Sequence, residues 1–99
     1  MIRHIVLFKF KTGCDWSDPR ALAAEESSHQ VGTEVPGLHS WVTGRNLSDR
    51  DIAYDFAAVG VVEDEAALDR YLDHPFHQES ARRWREISDW VIADIHDPA

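Results

Sequence analysis

The 99 residues predict an α+β protomer: a ferredoxin-like β-α-β-β-α-(α)-β chain whose four-stranded antiparallel sheet carries its helices on one face. Three observations lead there. Two segments, Ile2 to Lys11 and Ile52 to Val62, read as strands that are apolar on both faces. Cap residues followed by helix-period stripes recur after each of them. Pro36-Gly37 and the polar run Asn46 to Asp51 punctuate the middle as a hairpin would.

In the first strand, Ile2, His4, Val6, Phe8 and Phe10 alternate with Arg3, Ile5, Leu7, Lys9 and Lys11. Ser17-Asp18-Pro19 then supplies a cap and a proline for a first turn, opening a helix expected to run to about Val31 and stop at Gly32. Its stripe, Ala21, Ala24, Ser28 and Val31, is built of small side chains. Strands follow over Leu38 to Arg45 and Ile52 to Val62. Asp64 caps a second helix with the stripe Ala67, Leu68, Tyr71 and Leu72. His74-Pro75 ends that helix, because a residue before proline avoids the α region, and Pro75 opens a third with the stripe Phe76, Ser80, Trp84 and Ile87. Ser88 to Ile95 completes the sheet as a fourth strand.

One domain over residues 2 to 96 is expected, with Asp97-Pro98-Ala99 frayed. Helices cover only one face of such a sheet, so strands apolar on both sides call for a second copy of the chain: a homodimer. With 18 Asp+Glu against 10 Lys+Arg, a formal charge of -8, the chain offers no basic footprint for nucleic acid or an anionic membrane. Ile5 to Phe8 is too short an apolar run for a signal or a membrane span. The lone Cys14 excludes an internal disulfide, and a cytoplasmic location is expected.

Ile2-Arg3-His4-Ile5-Val6-Leu7-Phe8-Lys9-Phe10, Val35-Pro36-Gly37 and above all Tyr71-Leu72-Asp73-His74-Pro75-Phe76-His77 resemble the stress-responsive α/β-barrel (Dabb) family of small dimeric proteins. The resemblance spans residues 1–96. It implies a dimeric α+β barrel with a pocket between sheet and helices. In its polyketide cyclase-like members a Tyr and a His of the His-Pro corner act in that pocket, at positions matched by Tyr71 and His77, and a strand-one histidine lining it is matched by His4. Those members carry a pocket histidine where this chain aligns Phe56, and a first-helix tyrosine where it aligns Ser28.

The residues themselves support a modest chemistry. The Pro75 corner brings Tyr71 and His77 together, and the start of a helix keeps His77 neutral and able to accept a proton. A Tyr71 hydroxyl beside it would stabilise a developing oxyanion. Val6, Phe8, Ser28, Phe56, Phe76 and Trp84 are expected to line the pocket. The expected ligand is an apolar, oxygenated small molecule, and the expected chemistry is acid/base without a cofactor. The alternatives are a non-catalytic stress-associated dimer whose aromatic side chains fill the pocket, and a monooxygenase of the antibiotic-biosynthesis type. His74 and His77, with His4, Asp73 or Glu79, form an incomplete metal set, because His74 before proline faces elsewhere; no metal is expected. Cys14 lacks a basic sequence neighbour and is no nucleophile. Arg82-Arg83-Arg85 reads as an ion-paired helix face, with a carboxylate at a pocket mouth as its second reading. His29, His39 and His96 read as surface groups.

Overall fold

The computed structural model describes residues 1–98. Its elements run β1 (Ile2–Phe10), α1 (Pro19–Glu34), β2 (Leu38–Arg45), β3 (Phe56–Val62), α2 (Glu65–Asp73), α3 (Pro75–Ile87) and β4 (Ser88–His96). The strands form one antiparallel sheet in the order β2-β3-β1-β4. The two crossovers, α1 between β1 and β2 and α2-α3 between β3 and β4, lay the helices on one face, as a ferredoxin-like plan requires.

Asp18 caps α1 by accepting from the Arg20 N–H, and Asp64 caps α2 by accepting from that of Ala67 at 2.9 Å. Helix α1 does not stop at Gly32, as the sequence suggested, but continues to Glu34. That glycine serves packing: the indole of Trp41 on β2 lies where its side chain would be, with Cδ1 2.6 Å from an added Cβ. The chain turns afterwards at Pro36-Gly37, where Gly37 takes a φ of 89° open to glycine.

Strand β3 also differs, beginning at Phe56 rather than Ile52. Residues 50–53 close a turn through Ala53 N–H and the Arg50 carbonyl, leaving Ile52 exposed. The chain meets β1 only at Asp55, whose N–H donates to the Phe8 carbonyl and whose carboxylate accepts from the Phe10 N–H. At the other end, Asp97 is not frayed: its N–H donates to the Met1 carbonyl and its carboxylate pairs with Arg3 at 2.7 Å. The other end of the expected tail, Ala99, lies outside the described residues.

The core has two halves under the helices. Phe8, Phe56, Trp84 and Ile87 pack against Ala21 and Ala24 of α1 in one. Val31, Val62, Leu68 and Tyr71 make the other. On the opposite face of the sheet Leu7, Val42, Val91 and Ile95 stay exposed. Among the described residues no helix is long and apolar enough to cross a membrane.

Candidate functional site

Between the two halves of the core lies a cavity of about 750 Å³, within the size range of small-molecule sites. Its floor is the helix-facing side of β1 and β4, and its roof is α3. Three elements bring their polar side chains to one end. His4 comes from β1, Tyr71 from the buried stripe of α2, and His77 from the first turns of α3.

The corner between α2 and α3 makes that meeting possible. His74 takes extended backbone angles, and its Nδ1 accepts from the Phe76 N–H at 3.1 Å, capping α3. One extended residue thus separates the two helices, and the Tyr71 and His77 rings come to lie with centroids 4.4 Å apart. On its other side Tyr71 meets the His4 ring nearly edge-on at 5.3 Å.

Each histidine is held in one tautomer. The Leu72 carbonyl can only accept, so at 3.1 Å from His77 Nδ1 it fixes the proton there and leaves Nε2 with a free lone pair. His4 is 3% exposed, and its Nδ1 donates to the Asp94 carboxylate at 2.5 Å. Burial pushes the His77 pKa below the usual histidine value, outweighing the opposing hydrogen bond to Leu72, with His4 and His74 adding to the depression. Burial, and secondarily Asp94, push the Tyr71 phenol well above its ordinary value, so it keeps its proton and remains a donor. A neutral imidazole beside a protonated phenol is a base and an oxyanion donor within one cavity.

Ser28 and Trp84 form part of the wall, the Trp84 indole N–H donating to Ser28 Oγ at 2.7 Å. Trp84 is stacked on Phe8 at 4.2 Å and on Phe56 at 5.0 Å. Val6 and Phe8 border the cavity as expected from their strand register. Phe56 and Phe76 do not: Phe56 is 1% exposed behind Trp84, and Phe76 packs against the second half of the core. The aromatic residues that would have filled the pocket thus leave it open.

Several features were not visible in the sequence. Asp94, the partner of His4, lies 90 positions away and is identified only by the β1–β4 register, in which the two are direct partners. Trp41 of β2 and Trp90 of β4 also border the cavity; besides His4, the strand residues expected there were Val6, Phe8 and Phe56 alone, from β1 and β3. Cys14, read as lacking a basic neighbour, has the Arg20 guanidinium 3.8 Å from its sulfur. His29 accepts from or donates to Thr43, and His39 faces Glu63 at 3.0 Å, so both exposed histidines have partners on other elements. His74 is occupied as a cap, and among the described residues no three His, Cys, Asp or Glu side chains are grouped to hold a metal ion.

The sequence profile of the stress responsive A/B barrel domain family matches residues 2–97. An uncharacterized protein of Streptomyces coelicolor is 49% identical over 94 residues, covering 95% of this chain and 97% of that one. Among solved structures, a dimeric ferredoxin-like protein of unknown function from Thermobifida fusca superposes with a TM-score of 0.83 at 24% identity, covering 95% of this chain and 88% of that chain. A hydroxynitrile lyase from Passiflora edulis superposes with a TM-score of 0.80 at 16% identity, covering 99% and 94%. At these identities the two structures speak to the fold, which is shared by an enzyme and by a protein of unknown function.

Proposed function

We propose that this chain, which belongs to the stress responsive A/B barrel domain family, binds an apolar, oxygen-bearing small molecule in its cavity and performs cofactor-independent acid/base chemistry on it. The observation that carries the reading is the Tyr71–His77 pair, with centroids 4.4 Å apart and His77 Nδ1 committed to Leu72. In this reading Nε2 takes a proton from the carbon next to a ligand carbonyl. The electron pair moves to the carbonyl oxygen, where the Tyr71 O–H donates to it. Returning the proton to another carbon gives an isomerisation, and attack of the enolate carbon on a second carbonyl of the ligand gives a cyclisation. His4, held by Asp94, packs against Tyr71 and positions its ring.

Incubation with 2-decanone in D₂O tests this directly, with hydrogen exchange next to the carbonyl followed by NMR. The wild type is expected to catalyse exchange. His77→Ala should abolish it, and Tyr71→Phe should lower it by about 10²-fold, the scale of losing one oxyanion donor. Full exchange in His77→Ala overturns the acid/base assignment.

The same reading includes a homodimer. Leu7, Val42, Val91 and Ile95 form an exposed apolar face on the sheet side without helices, and a second copy of that face is its natural cover. Light scattering on the wild type should give twice the chain mass, and Val42→Asp should shift it towards one. A wild-type monomer overturns this part.

A further inference from the structure

We propose that the ligand of this cavity carries a carboxylate, captured by Arg85 at the end of the cavity remote from Tyr71 and His77. The proposal rests on the ligand-binding reading above and adds the charge of the ligand and its direction in the site.

His77, Ala81, Trp84 and Arg85 follow one another along the flank of α3 that borders the cavity. Eight residues at the helical rise set His77 and Arg85 about 12 Å apart along the axis. The stretch between them is walled by Trp84 and Ala81 above and by Phe8, Trp90 and Ile92 below. Gln78, Glu79, Ser80 and Arg82 also reach the lining, Glu79 and Arg82 bonded to each other at 2.7 Å. The cavity is therefore long, with acid/base groups at one end, an apolar wall along its length, and an arginine outside these ion pairs at the other end.

The arginines of α3 are not equivalent. Arg82 binds Glu79 at 2.7 Å and Glu86 at 2.9 Å, and Arg83 sits 3.4 Å from Glu79. Arg85 joins none of these ion pairs among the described residues; its guanidinium stands 5.4 Å over the ring of Trp90, which itself borders the cavity. A second cation lies at the C-terminal end of α3, since Lys11 Nζ donates to the Arg85 carbonyl at 3.0 Å. Of the two arginines that border the cavity, Arg82 is tied to Glu79 and Glu86, whereas Arg85 joins no ion pair among the described residues.

A guanidinium is the group best suited to hold a carboxylate, by two parallel N–H donors in one plane. The Trp90 face pre-positions it by a cation–π contact. The negative end of the α3 dipole would repel an anion there, and both the Arg85 guanidinium and the Lys11 ammonium offset it. The bound molecule would lay its apolar body along Trp84 and present its carbonyl to His77.

Decanoate and 1-decanol, kept below their aggregation concentrations, provide matched probes for calorimetric titration. The wild type is expected to bind decanoate about tenfold tighter than decanol or better. Arg85→Gln, on an exposed side chain and checked for an unchanged circular dichroism spectrum, should erase that preference while leaving decanol binding as it was. Added salt should weaken decanoate alone. Ala81→Trp, which fills the middle of the cavity, should remove binding of both probes. Equal wild-type affinities, or a decanoate preference that survives Arg85→Gln, overturn the anchor but leave the cavity as a binding site. Failure of both probes to bind, or binding indifferent to Ala81→Trp, overturns the cavity reading together with the anchor.

Discussion

Asp94 and His4 face each other as register partners across β4 and β1, and the Asp94 carboxylate accepts the Nδ1 proton of His4 at 2.5 Å. His4 is enclosed while the Asp94 side chain is 31% exposed, so the acid reaches from the sheet edge to fix a ring that solvent does not touch. Asp94→Ala removes the one charged partner of that ring among the described residues. The expected cost is about 1–2 kcal/mol of stability, a charge-assisted hydrogen bond discounted for the exposure of the acid. Urea unfolding measures it, and an unchanged midpoint would sink the assignment.

Trp41 sits between two glycines, and neither can be replaced freely. A Cβ at Gly32 would lie 2.6 Å from its Cδ1, and one at Gly60 2.9 Å from its Cε3. The indole cannot step aside, because its N–H donates to the Ser28 carbonyl at 2.8 Å. Gly32→Ala should therefore destabilise by about 1–3 kcal/mol through overpacking, although alanine in a helix gains about 1 kcal/mol over glycine. A higher urea midpoint in that variant would contradict the packing account.

Ser28→Ala should cost about 1–2 kcal/mol, because it strands the indole N–H of a tryptophan that is 1% exposed. The near-ultraviolet circular dichroism of Trp84 should change with it, since the hydrogen bond fixes the ring against Phe8. Unaltered stability and spectrum together would show that the bond contributes nothing.

His77 also ties stability to pH. Its folded pKa lies below 6.5 because burial disfavours the charged ring, so as pH falls the unfolded chain takes up this proton first. The contribution is whole above the unfolded value of about 6.5 and is lost as pH drops towards the folded pKa. Wild-type stability is expected to decline across that window more steeply than that of His77→Gln, as read from urea midpoints at successive pH values. Parallel declines would remove His77 as the cause.

Much of this molecule was legible in its sequence, for local reasons. Asp18-Pro19, Asp64 and His74-Pro75 announce helix starts because caps and prolines act within a few residues, and the alternation of His4, Val6 and Phe8 fixes which way they point. The errors have equally physical causes. Gly32 carries the signature of a helix stop, yet its role is set by Trp41 on another element. Ile52 and Tyr54 look like strand residues, but the ladder begins where Asp55 meets β1. In the site, Tyr71 and His77 are joined by a corner six residues long and could be paired from sequence. Asp94 meets His4 only through the β1–β4 register. While a carboxylate at a pocket mouth is the second reading of Arg82-Arg83-Arg85, which of the three is outside the ion pairs is decided by where Glu79 and Glu86 lie.

The pairing of β1 with β4 along its whole length has a consequence for how the chain comes to be built. Met1 and Asp97 are hydrogen-bonded neighbours, so β1, made before the other three strands of the sheet, has its second edge covered only once β4 has been made. Until then β1 offers an apolar, unpaired edge of the kind that invites association with other chains. Contacts so distant along the chain also slow folding. His4, on the first of the four strands, cannot meet Asp94 until β4 has been made.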